Sequence, residues 1–405
     1  MMKHSLAGVP TILFGAFDRH NLGDLLLAHI AAALLPDEHL VFAGLAERDL
    51  RRHGGHRVRA LAQLAAQGGE RPVKLIHVGG EVLTCDAWQA AVMLLPPEQA
   101  QATIAYLEPR PEERQAWVRS SLGLDVPAPY AASRGLFPHA VRVIYDGVGG
   151  VGLAESHPAL RAAVLANLKA ADAVGVRDRQ TLAQLQAAGV WARLLPDPAV
   201  MVAELFSTPI RERSAQGEVA RILRAFPQGY IAVQFSAEFG DDETLAQIAA
   251  QLDLMAGSSG YGVALFRAGA APWHDDLACL ERVATRMRAA SVKIFRSLHL
   301  WDICALIANS RGYCGSSLHG RIVAMAFALP RVNLRHPAQT HEPTKQAAFA
   351  ATWEAAGMPA TVDVHEIAQG IRDALAPEPE QLRRTASELV MHYRQGFNAI
   401  CAGLA

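Results

Sequence analysis

The residues best suited to chemistry form one run, Gly315-Ser316-Ser317-Leu318-His319-Gly320-Arg321. Ser316 or Ser317 can cap a helix that starts near Leu318, leaving first-turn N–H groups and the positive end of the helix dipole for an anion. His319 then falls in the first turn, where an imidazole can take or give a proton near neutral pH. Alone, the run reads more readily as an ordinary serine cap with a packed histidine. Its meaning depends on what else reaches the same edge.

Other polar residues also follow directly on short apolar runs. They are the loop Gly15-Ala16-Phe17-Asp18-Arg19-His20-Asn21-Leu22-Gly23-Asp24, then Gly79-Gly80-Glu81, then Arg177-Asp178-Arg179 and Asp197; the second half adds Ser236, Arg267 and Ser297. Asn21 and Asp24 have the types of turn and cap residues, and Gly79 and Gly80 let a backbone approach a ligand closely. Gly147, Gly149 and Gly152 satisfy G-x-G-x-x-G, but on the fourth strand, and the acid about 20 residues on, Asp172, precedes the next strand instead of ending it. A tight structural turn is the favoured reading there. For His20, His77, His274 and Asp275 a packed or solvated side chain is favoured, and no His or Cys cluster has metal-ligand spacing, so no metal is expected.

These residues need elements to hold them. Short apolar runs alternate with alanine- and leucine-rich helical stretches, the pattern of parallel sheets with crossover helices. Strands are expected near Pro10–Phe14, His39–Ala43, Val73–Val78, Val141–Tyr145, Ala173–Val176 and Ala192–Leu195, and again near Tyr230–Phe235, Gly262–Arg267, Val292–Phe295, Gly312–Gly315 and Arg331–Leu334. Second-half helices are expected near Asp242–Ala256, Asp275–Ala289, Leu300–Ala308, Leu318–Ala328 and Pro343–Ala356. The expected domains are an N-terminal Rossmann-like domain over 1–200, with a helical insertion about 86–138, and a C-terminal Rossmann-like domain over 201–378. A helix over 379–405 is free to pack back on the first domain. In such sheets ligands bind beyond the carboxyl ends of the strands, where the polar residues cluster.

Composition excludes several classes. The chain has 405 residues, 51% apolar and 19% charged, enough for two or three domains with real cores at about 150 residues each. With 38 basic and 39 acidic side chains the net charge is -1, which gives no support to a nucleic-acid partner. The five cysteines are widely spaced with no C-x-x-C pair, which fits a reducing cytoplasm. The first apolar run is broken by Pro10 and Gly15 and reads as a strand, not a signal peptide. No stretch reaches the roughly 18 uncharged residues of a membrane span; peripheral membrane contact stays open.

Taken in order, Gly15…Asn21-Leu22-Gly23-Asp24, Gly79-Gly80-Glu81, Val176-Arg177-Asp178…Leu185…Gly189…Pro196-Asp197-Pro198, the Gly315–Gly320 run and the later Lys345 resemble the polysaccharide pyruvyl transferase family across nearly the whole chain. The resemblance implies an α/β, GT-B-like architecture, two Rossmann-like domains facing across a cleft that holds the active site. It implies transfer of the enolpyruvyl unit of phosphoenolpyruvate onto hydroxyls of a glycan or lipid-linked sugar, closing a pyruvate ketal and releasing phosphate, as in exopolysaccharide synthesis. No cofactor is implied beyond phosphoenolpyruvate as donor substrate. Arg177 matches the arginine of the family's R-D-x-x-S-like motif and is implied to bind an anion. His319 matches the histidine of its R-L-H motif and is implied as the general acid/base. Ser316, Ser317, Arg321 and Arg267 then lie on the donor side, and Asn21, Asp24, Gly79, Gly80, Glu81 and Lys345 on the acceptor side or elsewhere in the cleft.

Ser317 departs from the pattern, standing where the family often has the arginine of R-L-H. Serine cannot replace a bidentate, permanently charged clamp. Either Arg267 or Arg321 supplies that charge, with Arg321 the weaker substitute because it lies a turn deeper in the helix, or the anion is not phosphoenolpyruvate. A nucleotide-sugar-dependent glycosyltransferase and a non-catalytic glycan-binding homologue are the alternatives.

Overall fold

The computed structural model describes residues 8–35, 39–68, 71–288, 291–339 and 344–402. They form two parallel α/β units, described in turn. The first comprises residues up to His20, Asp24–Pro198 and the chain from Met391 onward; the second comprises Ala199–Val390 with the short segment Asn21–Gly23.

The first sheet has eight strands: β1 (Thr11–Phe14), β2 (Leu40–Gly44), β3 (Arg48–Asp49), β4 (Arg57–Ala60), β5 (Val73–Val78), β6 (Ala140–Val148), β7 (Ala173–Val176) and β8 (Arg193–Leu194). Their order is β3-β4-β2-β1-β5-β6-β7-β8, parallel except for the β3–β4 pair. Every residue of β1, β5 and β7 is buried, as a parallel sheet covered on both faces requires. β3 and β4 are two strands more than the sequence suggests, because Arg-Asp and Arg-Val-Arg-Ala are charged edge strands with no apolar run to betray them. The insertion holds three α-helices where two are expected, Ala87–Met93, Pro97–Leu107 and Pro111–Leu122. Each start has a local cause. Asp86 and Gln89 form a reciprocal capping box, and Pro97 and Pro111 open the other two helices at the position where a missing N–H costs nothing.

The second sheet has six strands, all parallel: β9 (Tyr230–Gln234), β10 (Gly262–Leu265), β11 (Val292–Ile294), β12 (Gly312–Gly315), β13 (Arg331–Leu334) and β14 (Thr361–Val362), in the order β11-β10-β9-β12-β13-β14. Two-residue β14 is too short for any sequence pattern. The helices Asp242–Ser259, Leu277–Arg286, Leu300–Ala308, Leu318–Ala326 and Lys345–Trp353 follow the expected places. Two expected helix ends, Ala289 and Pro343, lie outside the described residues. The last helix, Pro379–Ile400, begins in the second unit, where Leu382 joins the core, and ends in the first.

Strand order fixes where a ligand can sit. The first sheet reverses direction between β1 and β5, the second between β9 and β12, and the crevice beyond such a switch point is the ligand position of open α/β sheets. Gly15–Asp24 and Gly79–Glu81 follow β1 and β5, while Phe235-Ser236 and Ser316–Arg321 follow β9 and β12. Among the described residues no helix is long and apolar enough to cross a membrane, and all five cysteines are free thiols.

Candidate functional site: two strand edges

At the edge of the first sheet Arg177 is buried, with Nη1 2.9 Å from Asp197 and Nη2 2.6 Å from Glu81. Burial alone would lower its pKa, but the Glu81 and Asp197 carboxylates outweigh that and push it up. Glu81 also accepts from Val151 N at 2.8 Å, so Arg177 and Glu81 together lock the β5 and β6 loops. The anion-clamp role expected of Arg177 needs correction, because two carboxylates already hold its guanidinium. The G-x-G-x-x-G turn is equally filled. A Cβ on Gly147 would fall 2.6 Å from Pro198, and one on Gly149 would fall 2.6 Å from Arg177 Nε. A close-packed turn, not a pyrophosphate cradle, is what these glycines make.

Gly79 and Gly80 have φ of 55° and 83°, a left-handed backbone that favours glycine, and they bring the loop to Gly149 through a Gly149 N to Gly80 O bond of 2.8 Å. Asp24 takes Arg19 Nε at 3.3 Å, and Arg19 Nη1 reaches the Tyr130 hydroxyl at 3.2 Å while its guanidinium lies over the Tyr130 ring. Arg19 and Tyr130 escape the sequence reading because the contact joins the first loop to the insertion 111 residues later. His77 is packed, as expected. Its ring stacks on Tyr145, Nδ1 donates to Ile144 O and Nε2 accepts from Ala132 N, and burial drops its pKa to about 3.

Asp146, at the end of β6, is fully buried. Its Oδ2 accepts from the Tyr393 hydroxyl at 2.7 Å, while Oδ1 meets no hydrogen-bond partner among the described residues. Burial pushes its pKa up to about 7, so the folded chain holds a proton there that the unfolded chain releases near the model value of 3.8. Between those values folding takes up a proton, and stability falls as pH rises, losing this contribution through pH 7. Asp146→Asn mimics the protonated group. Its advantage over the native chain in urea unfolding is expected to grow from near zero at about pH 4 to a few kcal/mol above about pH 7; a pH-independent difference would contradict this.

At the edge of the second sheet the Gly315–Arg321 run forms a connected set. Ser317 caps the helix Leu318–Ala326 by accepting from Gly320 N at 3.2 Å. Ser317 N donates to Gln234 Oε1 at 2.8 Å, and Ser316 Oγ accepts from Ser236 N at 3.0 Å, so both serines tie β12 to the loop after β9. Gly315 and Gly320 must lack side chains, since a Cβ on either would fall 2.5 Å from Tyr313. His319 occupies the first turn, and a Cβ on Gly23 would overlap its imidazole. Asn21 holds that segment, accepting from Gly23 N at 2.9 Å and bridging to Gly269. The asparagine and glycine of the N-terminal motif therefore shape the wall against which the His319 ring lies.

Arg321 does not join this set, which corrects its donor-side assignment. It is buried, and its guanidinium is spent on Glu354 at 2.6 Å, on Asn333 Oδ1 and on the Pro359 and Ala360 carbonyls. Arg267 differs. It is half-buried at the end of β10, its Nε has no hydrogen-bond partner among the described residues, and desolvation lowers its pKa against the pull of Asp275 and Asp276. Lys345 is exposed and opens the helix Lys345–Trp353, whose Gln346 donates to Ser316 O. Asp275, which the sequence leaves as a packed or solvated residue, is partly exposed. It accepts from Gln234 Nε2 at 2.7 Å, Ala268 N at 2.6 Å and Gly269 N at 3.3 Å. Burial lifts its pKa to about 7 against those donors, which lets it exchange a proton near neutrality.

Two parallel α/β units, each with its polar residues at a topological switch point, define a GT-B-like fold. Solved structures agree with it. The UDP-GlcNAc 2-epimerase of Methanocaldococcus jannaschii has a TM-score of 0.54 at 12% identity, over 95% of this chain and 99% of its own. That of Rickettsia bellii has 0.55 at 11%, over 98% and 96%, and the trehalose 6-phosphate synthase of Burkholderia multivorans has 0.51 at 12%, over 98% of each. At such identities the likeness concerns fold alone. No curated protein matches by sequence. Residues 142–336 match the polysaccharide pyruvyl transferase model, so this segment, which includes Arg177, Arg267 and the whole Gly315–Arg321 run, belongs to that family of enzymes.

Proposed function

We propose that the chain transfers the pyruvyl unit of phosphoenolpyruvate to hydroxyls of a sugar-containing acceptor as a cyclic ketal, releasing phosphate. The observation that carries this reading is His319, set in the first turn of the helix after β12 inside the family-matched segment 142–336.

Phosphoenolpyruvate presents a carboxylate and a phosphate on a three-carbon frame. The N-terminus of the helix Leu318–Ala326 and the Arg267 guanidinium are the groups that bind these charges in our reading, in place of the family arginine that Ser317 replaces. His319 delivers a proton to the methylene carbon, which becomes the methyl group as the adjacent carbon takes on oxocarbenium character. A sugar hydroxyl adds to that carbon and loses its proton to a base. Phosphate then departs with its C–O bonding pair, and a second hydroxyl closes the ring. Two hydroxyl protons are lost overall, and one proton each ends on the methyl group and on the phosphate. Asp275, poised near neutrality, is the base we assign beside His319. Arg177 is a positioning residue that fixes Glu81 and Asp197.

A proton NMR assay in D2O tests the reading. Phosphoenolpyruvate with methyl pyranosides should give a ketal methyl carrying one deuteron, together with inorganic phosphate. Turnover of a UDP-sugar with phosphoenolpyruvate untouched would overturn it and favour the glycosyltransferase alternative.

A further inference from the structure

Among the described residues only two that are not glycine have positive φ, Trp273 at 63° and Ala328 at 55°. Ala328 ends a helix, where a left-handed residue is ordinary, with Ala328 N and Leu329 N returning to Met325 O and Ala324 O. Trp273 has no such reason. It stands third in the tight turn Ala271-Pro272-Trp273-His274, closed by His274 N to Ala271 O at 3.1 Å, where positive φ calls for glycine. A bulky residue there is strained. Packing does not offset the strain, because the indole is 46% exposed.

The turn is also rigid. His274 O accepts from Ala237 N at 2.8 Å, and His274 Nδ1 donates to Pro272 O at 3.0 Å. The next residue, Asp275, is anchored by Gln234 Nε2 and two backbone N–H groups, and its N donates to Gly269 O at 3.2 Å. An exposed aromatic face is thus held in a strained conformation next to a partly exposed carboxyl, at the end of β10 beside β9.

We propose that the Ala271–His274 turn is the acceptor platform, with the Trp273 indole stacking on the C–H face of a pyranose ring and Asp275 accepting a hydrogen bond from a ring hydroxyl. This rests on the pyruvyl-transfer reading for the identity of the second substrate. A neutral pyranose presents what the pair would recognise, an apolar face and hydroxyl donors at its rim. Phosphoenolpyruvate has no such face, and the Asp275 carboxylate repels it.

Tryptophan fluorescence of the full chain, titrated with the methyl glycosides of galactose, glucose and mannose, tests the platform when native protein is compared with Trp273→Ala, Trp273→Tyr and Trp273→Gly. At least one glycoside should give a saturable signal, about tenfold weaker in affinity in Trp273→Ala and largely kept in Trp273→Tyr. Calorimetric binding of phosphoenolpyruvate should be the same in all four. Trp273→Gly should melt a few degrees higher, since it releases strain without losing packing. Failure of all three glycosides to give a Trp273-dependent signal, a lower melting point for Trp273→Gly, or a Trp273-dependent signal with UDP alone would overturn the proposal. Failure of phosphoenolpyruvate to bind native protein would instead remove the donor reading, while the glycoside signal would stand or fall by itself.

Discussion

Glu354→Ala is expected to destabilise the chain by about 3–5 kcal/mol, the usual loss when one partner of a buried ion pair is removed. Glu354 sits between two fully buried arginines, with Oε2 2.6 Å from Arg321 Nη2 and Oε1 paired with Arg331 Nη2. Those arginines hold its carboxyl below the usual range although burial pushes the other way. Without the carboxylate two guanidinium charges face each other out of water. Asn333 and the Leu329, Pro359 and Ala360 carbonyls still solvate them, but carry no charge. Urea unfolding measures the effect, and Glu354→Gln, which keeps the shape and one acceptor, should fall between. A loss under about 1 kcal/mol, the range of exposed pairs, would contradict the account.

His319→Ala is expected to lower phosphate release from phosphoenolpyruvate by about 10²- to 10⁴-fold, the usual contribution of a positioned general acid/base. Its effect on unfolding should be small, because the helix cap at Ser317 and the Tyr313 contacts remain. Gly23→Ala should reduce turnover in the same direction by about 10²-fold, since its methyl group displaces the imidazole instead of removing it. Substrate binding that weakens while turnover at saturation is untouched would place His319 in binding alone.

The sequence exposes those parts of the molecule that local pattern can encode. Strands such as Val73–Val78 and Ala173–Val176 are visible because parallel strands buried on both faces are continuous apolar runs. The Ser317 cap and the placing of His319 follow from residue type alone. Long-range pairing is hidden. Nothing near Arg177 announces Glu81, 96 residues away, and nothing near Arg321 announces Glu354, so two buried arginines pass for exposed anion clamps. Arg321 had a warning, being one turn deeper in the helix than Ser317. Asp275 and Trp273 are legible only from the backbone, one through the N–H groups and burial that set its pKa, the other through a φ that no side chain predicts.

Calorimetric titration with phosphoenolpyruvate of the native chain, His319→Ala and Arg267→Gln tests the central claim most directly. The account predicts saturable binding to the native chain, clear weakening in Arg267→Gln as a charge-assisted contact is lost, and weaker binding in His319→Ala. Equal affinity in all three would contradict the site, and binding of uridine or guanosine diphosphate with none of phosphoenolpyruvate would contradict the donor.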